Sequence, residues 1–232
     1  MSNPTGENAF APDTLSYANV DVPIDPGNPW FTIWTRPRDV MRWVLATDPT
    51  RNVKGLILGG AVAGALSNAG DDAESLNGLL LQLALAVPIG AAIGYLIYYF
   101  VSPWLLTMVG RWLGGTGDRV ALRAAVAYAL IPSIWASAIS IIGIIVIAFV
   151  LATGADATAL VRMPWLAVLI AMGVIAFALA IWQLIITIAC VSVAHRFSMW
   201  LSFATLLLVM IIVFAAVLIV VLPFILLGIF GR

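Results

Sequence analysis

The sequence predicts an all-α polytopic membrane protein, a bundle of five transmembrane helices behind a cytoplasmic N-terminal tail. Three observations lead there. Of 232 residues, 63% are hydrophobic and 9% charged, and the mean hydropathy is +1.09. An ordinary soluble domain carries about 25% charged residues, so too little polar surface remains here to cover a water-facing globule. Four long runs, 78–109, 124–151, 163–194 and 197–231, contain no Asp, Glu, Lys or Arg, and each exceeds the roughly 20 residues one crossing needs. The connectors between them alternate between rich and poor in basic residues, as an oriented bundle requires.

Three units follow in order. Residues 1–29 form a flexible acidic tail, with Glu7, Asp13, Asp21 and Asp25, no Lys or Arg, and prolines at 4, 12, 23, 26 and 29. The tail lacks the basic start and apolar stretch of a secretory signal. Residues 30–54 form a juxtamembrane segment rich in Trp and Arg. Between Pro37 and Leu45, Val40, Met41, Val44 and Leu45 fall on one side and Arg38, Asp39 and Arg42 on the other, flanked by Trp30, Trp34 and Trp43. Such a helix either lies in the headgroup layer or connects and anchors the first span, and the pattern fits both equally.

Residues 55–232 form the transmembrane domain. Its first segment, 55–69, is short for a crossing, yet Gly55, Gly59, Gly60 and Gly64 give small-xxx-small pairs that let helix backbones approach closely. A helix wedged among others is expected, with a re-entrant segment as the alternative. Pro88, Pro103, Pro132 and Pro223 interrupt the long runs; each removes a backbone donor, so kinks or breaks are expected there.

Charge sets the orientation. Arg36, Arg38, Arg42, Arg51 and Lys54 precede the first span, Asp71, Asp72 and Glu74 follow it, and Arg111, Arg119 and Arg123 come next. Then follow Asp156 with Arg162, Arg196, and finally Arg232. Five crossings put all but Arg162 and Arg232 of the 11 basic residues on one side. The positive-inside rule then places the N-terminus in the cytoplasm and the C-terminus in the periplasm.

The order of several stretches resembles a known family. Asn28-Pro29-Trp30-Phe31-Thr32-Ile33-Trp34-Thr35-Arg36-Pro37-Arg38 precedes a Gly-rich span, and Gly114-Gly115-Thr116-Gly117-Asp118-Arg119 leads into Leu122-Arg123-Ala124 and Ala127-Tyr128-Ala129-Leu130-Ile131-Pro132. From Trp30 onward the chain resembles the bacterial branch of the Yip family, the Ypt/Rab-interacting multi-spanning membrane proteins. That resemblance implies a five-span domain in a bacterial inner membrane. Eukaryotic relatives bind Rab GTPases through their cytoplasmic region and serve vesicle traffic; the Asp-Leu-Tyr-Gly-Pro stretch of many of them is not found here.

Chemistry is sparse. Cys190 and His195 stand alone and make neither a disulfide nor a metal site; no catalytic motif occurs, and no cofactor, metal or enzymatic activity is expected. The Gly114–Gly117 loop reads as a flexible turn, a phosphate site being the weaker reading because the full phosphate-loop pattern is missing. Gln82 and Gln183 are the polar intramembrane candidates, favoured as interhelical hydrogen bonds over solute ligands. Tyr95, Tyr98, Tyr99 and Trp104 fit an aromatic belt better than a cavity wall.

Trp30, Trp34, Arg36, Pro37, Arg38, Arg42, Arg111, Arg119 and Arg123 form the candidate docking surface. The expected partners are the lipid bilayer with its anionic lipids, a membrane or cytoplasmic protein, and a second copy of the chain. Zero net charge argues against nucleic acid. The function expected is a non-enzymatic scaffold, adaptor or membrane organiser. The alternative is a permease or channel for an uncharged or lipid-like solute, and an enzyme acting on lipid is a weaker third.

Overall fold

Helix formation begins where the Asn28 side chain accepts the Trp30 N–H and caps the single turn α1 (Pro29–Thr32). The computed structural model describes residues 24–70, 73–153 and 165–230, without the side chains of Trp165, Leu169 and 224–230. Residues 1–23, most of the acidic tail, therefore lie outside the described residues, as do Asp71, Asp72, Asp156, Arg162 and Arg232. Among the described residues every regular element is a helix.

After α1 comes α2 (Pro37–Thr47), opened by Pro37 at its first position, where a missing N–H does no harm. Its apolar side is Val40, Met41 and Val44, at most 1% exposed and packed against α7 (Arg119–Ala129) and α9 (Trp165–His195). Protein therefore covers the apolar side of this amphipathic helix.

Four helical runs are long and apolar enough to cross a membrane: Leu76–Trp112, Arg119–Ala152, Leu166–His195 and Met199–Pro223. Helix α3 (Val53–Leu66) is shorter. Its 14 residues rise about 21 Å, less than the ~30 Å hydrocarbon core. The expected segment 55–69 thus loses its last turn. There the Ser67 hydroxyl donates to Ala63 O (2.9 Å) and meets Ser140 Oγ (3.2 Å), and Asn68 Nδ2 donates to Gly64 O (2.8 Å). Gly70 N donates to Gln82 Oε1 at 3.0 Å. Irregular backbone at membrane depth needs such partners because lipid offers none.

The wedge is real. Helix α3 packs against α5 (Val87–Leu96), α7 and α8 (Ile131–Ala152). A methyl group on Gly60 would lie 2.7 Å from Leu130 Cδ1, and one on Gly59 would lie 3.0 Å from Ile134 Cδ1. Two of the four expected packing glycines behave otherwise: Gly55 has no neighbour within 4 Å, and Gly64 meets only Tyr98 Oη at 4.0 Å. A different small-xxx-small pair, Gly90 and Gly94 on α5, also faces α3: a Cβ added at each would lie 3.4 and 3.3 Å from the Cβ atoms of Ala65 and Ala61.

Three prolines sit at helix joints. Along Leu76–Trp112, α4 (Leu76–Leu81), α5 and α6 (Ser102–Trp112) are joined by π-helical turns, Gln82–Ala86 before Pro88 and Ile97–Val101 before Pro103. Leu130 separates α7 from α8 just before Pro132. Pro223 lies inside α10 (Met199–Phe230).

Candidate functional site

At one end of the bundle α6, the α6–α7 loop and the α9–α10 turn meet on His195. The last residue of α9, it is 1% exposed. Its Nδ1 accepts the Gly117 N–H at 3.2 Å, so the ring proton must sit on Nε2, which donates to Leu106 O at 3.0 Å. The imidazole stacks on Phe197 with centroids 4.9 Å apart. Gly110, Gly115 and Gly117 leave room for the ring: a Cβ on Gly110 would collide with Nε2, and one on Gly115 would lie 2.5 Å from Nδ1.

The Gly114–Gly117 loop is therefore not the flexible turn its composition suggests. Gly115 and Gly117 are buried. Each N–H is donated internally: Gly114 to Arg111 O (3.1 Å), Gly115 to Gly110 O (2.8 Å), Thr116 to His195 O (3.1 Å) and Gly117 to the imidazole. The Asp118 carboxylate caps α7 by accepting Ala121 N–H at 2.8 Å. A phosphate would find no donor in this loop.

The expected docking residues separate. Trp34, Arg36, Pro37, Arg38 and Arg42 line one groove of about 410 Å³ between α2 and α9, together with Trp182, Ile185, Ala189 and Met199. Arg38 and Arg42 also line a neighbouring groove of about 520 Å³ with Arg196 and Phe197. Arg196, missing from the expected set, thus joins the cluster, while Asp39 pairs with Arg42 at 3.2 Å. Trp30 lines a different cavity of about 650 Å³ with Trp43, Arg51, Gly55 and Tyr128. Arg111 and Arg119 stand exposed on α6 and α7.

Arg123 has an internal role. Pro103 has no N–H for Tyr99 O, the carbonyl four residues before it. Arg123 Nε donates to that carbonyl at 3.0 Å, with its guanidinium 4.1 Å from the Tyr99 ring centroid. The two glutamines also bond within the bundle: Gln82 holds Gly70, and Gln183 Oε1 accepts the Ser133 hydroxyl at 2.5 Å. Outside the spans, Asp48 is held below the usual carboxylate range, first by the Thr50 hydroxyl and then by the Thr50 N–H. Among the described residues no His, Cys, Asp and Glu group could hold a metal, and every buried side-chain N and O has a partner.

Residues 31–228 match the family description "Yip1 domain". The chain belongs to the Yip1 family. The match spans all ten helices except the first two residues of α1 and the last two of α10, so the arginine grooves and the histidine junction both belong to the Yip1 domain. Yip1 proteins are membrane proteins not known as enzymes. Comparison with curated proteins and with solved structures returns no match for this Yip1 chain.

Proposed function

We propose that this Yip1 protein is a non-enzymatic scaffold or adaptor of a bacterial inner membrane, working through the face that carries Arg38, Arg42 and Arg196. The observation that carries the reading is the way α2 is held. Its apolar side is wholly taken up by α7 and α9, so Arg38 and Arg42 stand outward on a preformed platform. The ring of His195 ties the neighbouring loop to the same platform. Preformed surfaces lose little entropy on binding, which suits a docking role. The bias of basic residues supports a cytoplasmic position for this face, with the N-terminus inside and the C-terminus outside.

The test is photo-crosslinking in living cells from Thr35 and Thr116, both exposed, combined with compartment-specific reporters fused after Arg232. The adaptor reading expects one discrete protein adduct from both positions and activity of the periplasmic reporter. No protein adduct above that from a lipid-facing control such as Phe177 would end it.

One observation favours a permease instead. Asn68, Gln82 and Tyr98 line a cavity of about 500 Å³ between α3 and α5, where α3 stops short. Its walls contain no acid or base, which restricts such a path to uncharged or lipid-like solutes. Gln183 lies outside this cavity, bonded to Ser133.

A further inference from the structure

The two grooves beside α2 follow one stripe of α9. From Trp182 through Ile185, Ala189 and Val193 to Arg196, these residues recur at three- and four-residue spacing and line first one groove and then the other. Arg38 and Arg42 line both. From residue 182 to 196 the stripe is about 21 Å long at helical rise, enough for the ~15 Å depth of one leaflet. Its two ends differ in chemistry. At one end Arg38, Arg42 and Arg196 line one groove, with Asp39 the single carboxylate along the stripe, already engaged by Arg42; Arg36 lines the other groove. At the other end, Trp182 and Ile185 lie within the membrane-spanning part of α9 yet are 45% and 42% exposed.

The backbone sets where Arg196 stands. Arg196 adopts φ +58°, a left-handed conformation that glycine would take more easily. The turn nevertheless holds an arginine there, with its guanidinium at the groove. The conformation closes α9 as a Schellman turn, with Arg196 N donating to Val193 O and Phe197 N to Ser192 O.

We propose that this stripe binds one anionic phospholipid, its phosphate held by Arg38, Arg42 and Arg196 and an acyl chain laid along Ile185 and Trp182. Arginine forks match phosphate oxygens in pairs, and basic side chains at headgroup level draw anionic lipid. An acidic protein segment would satisfy the arginines but not the apolar wall below them. A free phosphate ion would leave that wall unused. The site deepens the docking reading of this face, requires no protein partner, and holds whichever side of the membrane the face occupies.

The experiment is native mass spectrometry of the full chain in non-ionic detergent, titrated with phosphatidylglycerol or with phosphatidylcholine. Phosphatidylglycerol should be retained preferentially. Arg38→Gln and Arg196→Gln should each weaken it about fivefold, and Arg119→Gln, the same charge change outside both grooves, should leave it unchanged. Ile185→Trp, which fills the apolar groove at an exposed position without altering charge, should also weaken it. Protection of Cys190 from maleimide reports whether each variant is folded. Equal retention of the two lipids would overturn the site, as would equal loss in Arg119→Gln. Displacement by glycerol phosphate as readily as by phosphatidylglycerol would replace it with a soluble-anion site. Loss of cellular crosslinks with lipid preference intact would remove only the adaptor reading; intact crosslinks without lipid preference would remove only the lipid site.

Discussion

The His195 junction can be tested by a double substitution. In Gly110→Ala the new methyl group falls on Nε2 of a ring that cannot easily move. Leu106 O and Gly117 N hold it at 3.0 and 3.2 Å, and Phe197 stacks on it. Overpacking of this kind costs about 1–3 kcal/mol. Displacing the ring would also strand the buried Gly117 N–H, at about 1–3 kcal/mol, while Leu106 O keeps its place in the α6 ladder. The single change should therefore destabilise the fold by roughly 2–6 kcal/mol. His195→Ala strands the same N–H and leaves a cavity, for a similar loss. Combined, the two are not additive. The methyl group added at Gly110 enters space the ring has vacated, the overpacking vanishes, and the double variant should resemble His195→Ala alone. The coupling then equals the whole cost of Gly110→Ala, about 2–6 kcal/mol, or about 4–24 °C of thermal midpoint for a chain of this length. Cys190 is the single cysteine and is fully buried, so a fluorogenic maleimide in detergent reads unfolding directly. Midpoint shifts that simply add would show that Gly110 and His195 do not share this space.

Two further outcomes follow from the packing. Gly60→Leu should lower the same midpoint by at least about 5 °C, because its side chain must displace Leu130, whereas Gly55→Ala, with no neighbour within 4 Å, should shift it by less than about 2 °C; equal shifts would refute the placement of α3. Arg123→Gln should cost about 1–3 kcal/mol by orphaning Tyr99 O, and Pro103→Ala in the same chain should recover part of it by restoring a helical donor; no recovery in the maleimide assay would detach Arg123 from the proline.

How much of this was legible in the sequence depends on the range of each interaction. The four long helices were, because freedom from charge over 28 residues or more is a local property of the chain. Helix α2 was legible as amphipathic, but one pattern serves a membrane surface and a protein surface alike; only the position of α7 and α9 decides between them. Small residues at spacing four marked close helix packing, yet Gly90 and Gly94 fit the rule as well as Gly60 and Gly64 do, and only the facing helix selects among them. The histidine junction was hidden for a different reason. Its bonds go to the backbone of Leu106 and Gly117, 89 and 78 residues away, and backbone acceptors carry no residue signature. The available signal was three glycines, at 110, 115 and 117, awaiting one bulky ring. Arg123 looked like topogenic charge because nothing in its own neighbourhood names Pro103 as its reason.

The long helix from Leu76 to Trp112 carries a consequence of its two π turns. A π turn places one extra residue in a helical repeat, so every side chain beyond it is re-phased by about 100° relative to an uninterrupted helix. With two such turns, the helix is not one amphipathic rod but three, each with its own azimuth. The first sector addresses α8, the second lays Gly90 and Gly94 against α3, and the third meets α7 and α10. Removing one residue from Gln82–Ala86 would let that turn close as ordinary α-helix with the glycine face still on Ala61 and Ala65, whereas forcing α-helical bonding on the turn with all its residues kept would swing that face away. In this helix, residue count within a turn is what encodes which neighbour is touched.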